Sequence, residues 1–179
     1  MNRVIVQTVV VLLLAGGASV ASNSASGSNA FIGGGSGNVA SGGNSIVAGG
    51  VSNTASSGEC FIGAGYVNQI PETSFRSFIG AGVSNIVGRG AVVVGGYGHA
   101  ATGYCSAIVG GGIEGSHSEW DGGGGYFGHT ASGDWSFVGG GYLNHASGAH
   151  STVSGGRINT AKALHATVPG GRDNIAAGT

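Results

Sequence analysis

The residues best suited to chemistry form a series with a period of 15 residues. Trp120, Trp135, His150 and His165 follow one another at that interval. Neighbouring imidazoles can bind a metal ion, but no carboxylate or cysteine is close to the two histidines in the sequence, and a closed site usually has about four ligands. We therefore predict no metal site here, and interpret the series as a stacked aromatic ladder on the surface, which could contact sugars.

Other combinations with catalytic potential are equally incomplete. Asp121 follows Trp120 and Asp134 precedes Trp135, but neither aspartate has a partner carboxylate of the kind that a glycosidase needs. The glycine runs at 33–35 and 122–125 are not predicted to lead into a helix, as a phosphate loop must. Cys60 and Cys105 lie about three repeats apart, too far for an intrachain disulfide, so we expect buried thiols. The sequence predicts no catalytic residue, no cofactor and no enzyme.

Composition narrows the class of protein. Gly accounts for 41 of 179 residues, charged residues for 7%, and the formal net charge is −1. Glycine does not recur at every third position, which excludes collagen, and regularly recurring β-branched residues disfavour disorder. Lysine and arginine do not cluster, so nucleic-acid binding is not expected.

The N-terminal segment has the features of a secretory signal. Arg3 precedes an apolar run at residues 4–14, and Ser19-Val20-Ala21 forms a small-x-small cleavage site. We predict a signal peptide at 1–21, a short linker at 22–28 and a repeat head domain at 29–179. The mature chain is expected to be secreted or at the cell surface, with no membrane span of its own. A retained anchor, or an apolar first segment of a fragment, is the alternative.

A repeat of 14–17 residues occupies most of the chain. Each copy can be aligned on an Asn-like anchor: Asn38, Asn53, Asn68, Asn85, His99, Gly115, His129, Asn144, Asn159 and Asn174. Six residues before the anchor stand Ile32, Val47, Ile62, Ile79, Val93, Val109, Gly123, Val138, Val153 and Val168. A β-branched column of this kind is typical of strands on a pleated surface. The repeats therefore predict an all-β parallel solenoid of about ten coils.

Two further columns predict how each coil is built. Three residues before the anchor nearly every copy has glycine, which indicates a corner with positive φ or a close backbone approach. The anchors fit the same corner, since Asn tolerates the left-handed region and its stacked side chains can form a ladder. We place the Ile/Val column inside, against a column of alanines. The adjacent column that begins at Phe31 would then point outwards as an apolar stripe, and such a stripe marks an interface. Threefold association would bury it.

The phrase Ser-Phe-Ile-Gly-Gly-Gly…Asn-x-Ala-Ser-Gly resembles the head repeats of YadA-like trimeric autotransporter adhesins, and residues 166–174 are especially similar. The resemblance covers residues 29–179. It implies a left-handed parallel β-roll, a homotrimer, and adhesion to extracellular matrix, a host surface or a glycan, with outer-membrane association if the chain is part of a longer adhesin. Similar repeats occur in viral and phage fibre proteins, which keeps a fibre segment as the alternative; an ice-binding solenoid is a weaker one, because threonine is not continuous in any column.

Two irregular stretches are the candidate interaction loops. Residues 69–76 contain a two-residue insertion, with Pro71, Glu72 and Arg76, and residues 115–120 interrupt the repeat with His117 and Glu119. Insertions in solenoids form loops that often lie on the binding face. A neutral change of length is the alternative interpretation for both. The aromatic series Trp120, Trp135, His150 and His165 completes the set of candidate interaction residues.

Overall fold

The computed structural model describes residues 21–112 and 128–178, and these residues form a parallel β-solenoid of about nine turns. Every strand has two residues, because a corner follows each short extended segment. The strands are β1 (Ser24–Ala25), β2 (Phe31–Ile32), β3 (Val39–Ala40), β4 (Ile46–Val47), β5 (Thr54–Ala55), β6 (Phe61–Ile62), β7 (Gln69–Ile70), β8 (Phe78–Ile79), β9 (Ile86–Val87), β10 (Val92–Val93), β11 (Ala100–Ala101), β12 (Ala107–Ile108), β13 (Thr130–Ala131), β14 (Phe137–Val138), β15 (His145–Ala146), β16 (Thr152–Val153), β17 (Thr160–Ala161), β18 (Thr167–Val168) and β19 (Ile175–Ala176).

The strands stack into two sheets along the rod. The odd-numbered strands β1–β19 form a ten-stranded sheet, which we call sheet A, and the even-numbered strands β2–β18 form a nine-stranded sheet B. Within each strand the second residue points into the coil and the first points out, as alternation along a strand requires. The core therefore consists of one file from each sheet, Ile62 and Val93 being examples from sheet B and Ala55 and Ala131 from sheet A, all fully buried. This confirms the predicted interior.

A side-chain ladder runs beside the core along the whole stack. The Asn53 backbone N–H and Nδ2 both donate to Oδ1 of Asn38, and Asn68 repeats the pattern on Asn53 at 3.0 Å for both bonds. Each Nδ2 also donates to carbonyls of the glycine corner, as Asn68 does to Gly82 at 2.8 Å. The predicted ladder is thus present. The prediction that Asn itself is left-handed is wrong, because the residue before it has positive φ instead, for example Ser52 at 57°.

The glycine corner is required by backbone conformation and by space. Gly65 has φ of 111°, and a Cβ built there would lie 2.0 Å from the carbonyl oxygen of Gly82 in the next rung and 2.6 Å from Nδ2 of Asn68. The Gly82 carbonyl and the Asn68 amide that donates to it therefore leave no room for a side chain at Gly65. This confirms the interpretation of the glycine column.

One part of the predicted register is wrong. The copy anchored on Gly115 placed Val109 inside and Ile108 outside, whereas Ile108 is fully buried between Val93 and Val138 and Val109 is 46% exposed. Strand β12 pairs directly with β14, and β11 with β13, so these strands are adjacent in the stack. The stack consequently has about nine turns rather than ten. Gly115, Gly123 and the remainder of residues 113–127 lie outside the described residues.

The stack also begins earlier than the first predicted repeat. Strand β1 pairs in register with β3, and Asn23 accepts hydrogen bonds from the backbone and Nδ2 of Asn38 at 2.9 and 3.2 Å. Residues 23–25 thus add a strand to sheet A and a step to the ladder. Across 21–112 and 128–178, no helix is long and apolar enough to cross a membrane.

Candidate interaction surfaces

The outer face of sheet B carries a continuous apolar file. It consists of the first residue of each even-numbered strand, from Phe31 through Ile46, Phe61, Phe78, Val92 and Ala107 to Phe137. Phe31 is 56% exposed, and the rings of Phe61 and Phe78 stack with centroids 5.4 Å apart and planes 7° apart. The predicted outward stripe is therefore present. We call it the sheet B face.

A second outward column stands two residues after the first residue of each even-numbered strand. Each phenylalanine is followed at this position by glycine; a Cβ built on Gly63 would clash with the backbone carbonyl oxygen of Gly80 and would also lie 3.4 Å from the Phe61 ring. Where the first residue is smaller, a side chain fills the space: Val92 is followed by Val94, which is 50% exposed, and Ala107 by Val109. The sheet B face therefore stays apolar through the rungs that lack phenylalanine.

The character of this face changes after Phe137. The next two rungs present Thr152 with Ser154, and Thr167 with Pro169. The face therefore becomes more polar toward the C-terminus. The apolar part of the sheet B face thus covers seven even-numbered strands, β2–β14.

A third column lies between the sheets and is joined by isolated bridges. Ser36, Val51, Tyr66, Val83 and Tyr97 follow one another in it, and after the break so do Tyr142, Arg157 and Arg172. The Arg157 guanidinium lies over the Tyr142 ring at 5.1 Å from its centroid. The column is thus aromatic and aliphatic along most of the rod and cationic at its C-terminal end. Sequence analysis missed it because its residue types vary from copy to copy.

The predicted aromatic ladder forms at the corner that leads into sheet B. Trp135 and His150 stack with centroids 4.9 Å apart, His150 and His165 do the same at 4.9 Å, and Tyr104 meets Trp135 edge-on at 5.5 Å. The backbone at this corner is left-handed, with φ of 54° at Trp135. In the described rung before Trp135 this position belongs to Cys105, which has φ of 52°, while Trp120 lies outside the described residues.

The geometry of this corner limits what it can bind. His150 and His165 offer two imidazole ligands, whereas a closed zinc site has about four, and their rings stack with centroids 4.9 Å apart. Within the described ranges, no group of three or more His, Cys, Asp or Glu side chains could hold a metal ion. The rings also cover each other's faces, so a sugar would meet ring edges and the neighbouring polar atoms.

The predicted loop at 69–76 is anchored on its neighbours. Oγ of Ser57 donates to the Glu72 carbonyl at 2.9 Å, and buried Ser74 donates to the Val87 carbonyl at 2.9 Å. Arg76 forms an exposed ion pair with Glu59 at 2.7 Å, which holds the pKa of the guanidinium above its usual value. Pro71 is half-buried and Glu72 is exposed. The loop is thus a fixed projection on the rod, whereas His117 and Glu119 lie outside the described residues.

Neither cysteine is in a disulfide. Cys60 is buried, and burial raises the pKa of its thiol above the ordinary value, which disfavours the reactive thiolate. Cys105 is exposed, so the expectation of a buried thiol is wrong for this residue. The reason is the register, since Cys105 occupies the outward corner column that Trp135 and His150 continue.

The ladder contains two histidines whose importance sequence analysis missed. His99 and His129 occupy adjacent ladder positions, both fully buried, with ring centroids 4.9 Å apart and planes 3° apart. The signal in the sequence is the replacement of Asn by His, which also has a side-chain acceptor, at two ladder positions.

No protein-family model matches this chain, and a search of curated proteins finds no significant match.

Proposed function

We propose that the chain is the head of a homotrimeric adhesin or fibre that displays a binding surface and performs no catalysis. The observation that carries this proposal is the sheet B face, which stays apolar over seven successive even-numbered strands. Soluble proteins rarely expose a continuous apolar patch of this kind unless it binds a partner.

Copies of the same chain suit this face better than an unrelated partner. The face repeats at the strand spacing of about 4.8 Å, so an identical copy offers matching rungs along the whole length. Most rungs offer either a phenylalanine followed two residues later by glycine, as at Phe61 and Gly63, or two smaller apolar residues, as at Val92 and Val94. The resemblance to trimeric adhesin heads favours three copies. Secretion or surface location follows from the N-terminal signal pattern and is part of the same proposal.

The surfaces left outside the trimer are the candidates for ligand contact. They are the aromatic corner at Trp135, the loop at 69–76, and the third column with Tyr66 and Arg157. Extracellular matrix proteins and glycans are the ligand classes to test, with an array probed by the purified head. A viral or phage fibre segment would be the same object with a different partner. For ice binding, the outer column of sheet A offers poor support, since Gln69 and His145 separate its threonines.

The association is tested by the mass of the signal-free chain in solution, measured by light scattering on a sizing column. The wild type is expected to have three times the chain mass. Replacing Phe61 and Phe78 together by serine should yield monomers, because both rings lie on the outer face and their loss leaves the core intact. The matched control replaces Thr54 and Ile86 by serine on the outer face of sheet A and should remain trimeric. A monomeric wild type would refute the proposed assembly.

A further inference from the structure

The ladder changes chemistry at one place, where two imidazoles replace amides. The His129 backbone N–H donates to Nδ1 of His99 at 2.9 Å, and the Asn144 N–H donates to Nδ1 of His129 at 3.0 Å. A backbone N–H can only donate, so both Nδ1 atoms must be unprotonated and each neutral ring carries its hydrogen on Nε2. Nε2 of His99 accordingly lies 3.2 Å from the Gly111 carbonyl oxygen.

Neither ring can take up a proton in this arrangement. A proton on Nδ1 would face the N–H of the next rung, donor against donor, and would place a positive charge on a fully buried ring. Asparagine serves the same purpose at seven ladder positions, namely 23, 38, 53, 68, 85, 144 and 159, where the acceptor is an amide oxygen that does not titrate in this range. Acid sensitivity of the ladder is therefore confined to one place.

The surroundings of the pair contain no compensating charge among the described residues. The two rings face each other, the uncharged amides of Asn85 and Asn144, and the glycine corners at Gly111 and Gly141. The other titratable neighbour is half-buried His145. Nε2 of His129 lies near the carbonyls of Gly110 and Gly141 without a well-formed hydrogen bond to either. Burial lowers the pKa of His99, and burial together with the charge of His99 lowers that of His129 to about 4.

We propose that His99 and His129 form an acid-sensitive rung at which the solenoid opens first when the pH falls. At neutral pH the two neutral rings join residues 21–112 to residues 128–178 through the ladder. Below about pH 6.5 the opened rung binds protons that the closed rung excludes, so acid shifts the equilibrium toward opening. The inference concerns the fold of one chain and does not depend on the proposed trimer.

Hydrogen exchange of backbone amides tests this proposal on the full chain. Between pH 6.5 and 5, after correction for the intrinsic exchange rate, opening at the 129 and 144 amides should increase at least about fifteenfold relative to the Asn68 amide, which is the increase expected from His129 alone. In the variant with His99→Asn and His129→Asn this dependence should vanish, since asparagine restores the ladder found elsewhere. The control with His150→Asn and His165→Asn, on the exposed corner, should behave as wild type.

Two outcomes would overturn the proposal. One is an equal pH dependence of the 129 and 144 amides in wild type and in the ladder variant, which would assign it to other groups. The other needs no variant: nitrogen-15 NMR at neutral pH should show both rings with hydrogen on Nε2 only. Protonated Nδ1 on either ring would contradict the hydrogen bonds on which the inference rests.

Discussion

Replacing Asn68 by alanine tests whether the ladder stabilises the solenoid. Asn68 is fully buried, donates through Nδ2 to Ala64 and Gly82, and its Oδ1 accepts both the backbone N–H of Asn85 at 3.1 Å and Nδ2 of Asn85 at 3.0 Å. Alanine would leave the Asn85 N–H and two corner carbonyls without these partners. An unpaired buried polar group costs about 1–3 kcal/mol.

The expected loss for Asn68→Ala is therefore about 3–5 kcal/mol of unfolding free energy: about 1–3 kcal/mol for the buried Asn85 N–H that is left unpaired, and about 1 kcal/mol for each of the two hydrogen bonds to the Ala64 and Gly82 carbonyls. Chemical denaturation followed by circular dichroism at pH 7.5 and fixed protein concentration measures it. Gln69→Ala is the matched control: it lies one residue away on the exposed side of β7, and surface changes of this kind stay within about 0.5 kcal/mol. If the two variants were equally stable, the ladder would contribute no stability beyond that of the backbone pairing, and the reasoning would be refuted.

Three further outcomes follow from the same geometry. Gly65→Ala should destabilise strongly, because its Cβ would meet the Gly82 carbonyl oxygen, whereas Gly49→Ala should be neutral, since a Cβ there meets nothing within 4 Å; thermal unfolding separates the two. Val67→Asn should raise the unfolding free energy by about 1 kcal/mol, because a β-branched residue is strained at φ of 56°. The free energy of unfolding should be constant above about pH 6.5 and fall by about 3 kcal/mol toward pH 4, because the pKa of His129 is about 4 in the folded chain against an ordinary 6.5. Urea titrations at several pH values check this. The variant with His99→Asn and His129→Asn should lose most of this pH dependence.

Much of the fold could be predicted because the solenoid repeats its constraints in the sequence. Each turn must bury one β-branched residue and one small residue, and must leave a corner without a Cβ, so columns such as Ile62 and Gly65 stand out on alignment. The register failed where composition imitates the repeat. Residues 109–125 are rich in glycine, and Val109 lies six residues before Gly115, as a core residue lies before an anchor elsewhere. The pattern alone therefore favoured Gly115 as an anchor.

A physical criterion would have rejected that anchor. A ladder position must accept the backbone N–H of the next rung through its side chain, as Oδ1 of Asn53 and Nδ1 of His99 do. Glycine has no side-chain acceptor, so Gly115 cannot continue the ladder, whereas His129 can. The candidate surfaces were harder to predict, because the third column with Tyr66 and Arg157 has no constant residue type and is defined only once the coils are stacked.

The sheet B face shows why single columns understate such a surface. Taken alone, the column that begins at Phe31 has a gap at Ala107, where a small residue interrupts the large ones. The neighbouring outward column is large where the first is small, as at Val109, and is glycine where the first is phenylalanine, as at Gly63. The two columns together therefore keep apolar side chains on all seven even-numbered strands from β2 to β14. A copy of the chain lying along this face, as proposed above, would contact both columns, so neither column alone describes the surface that it would bury.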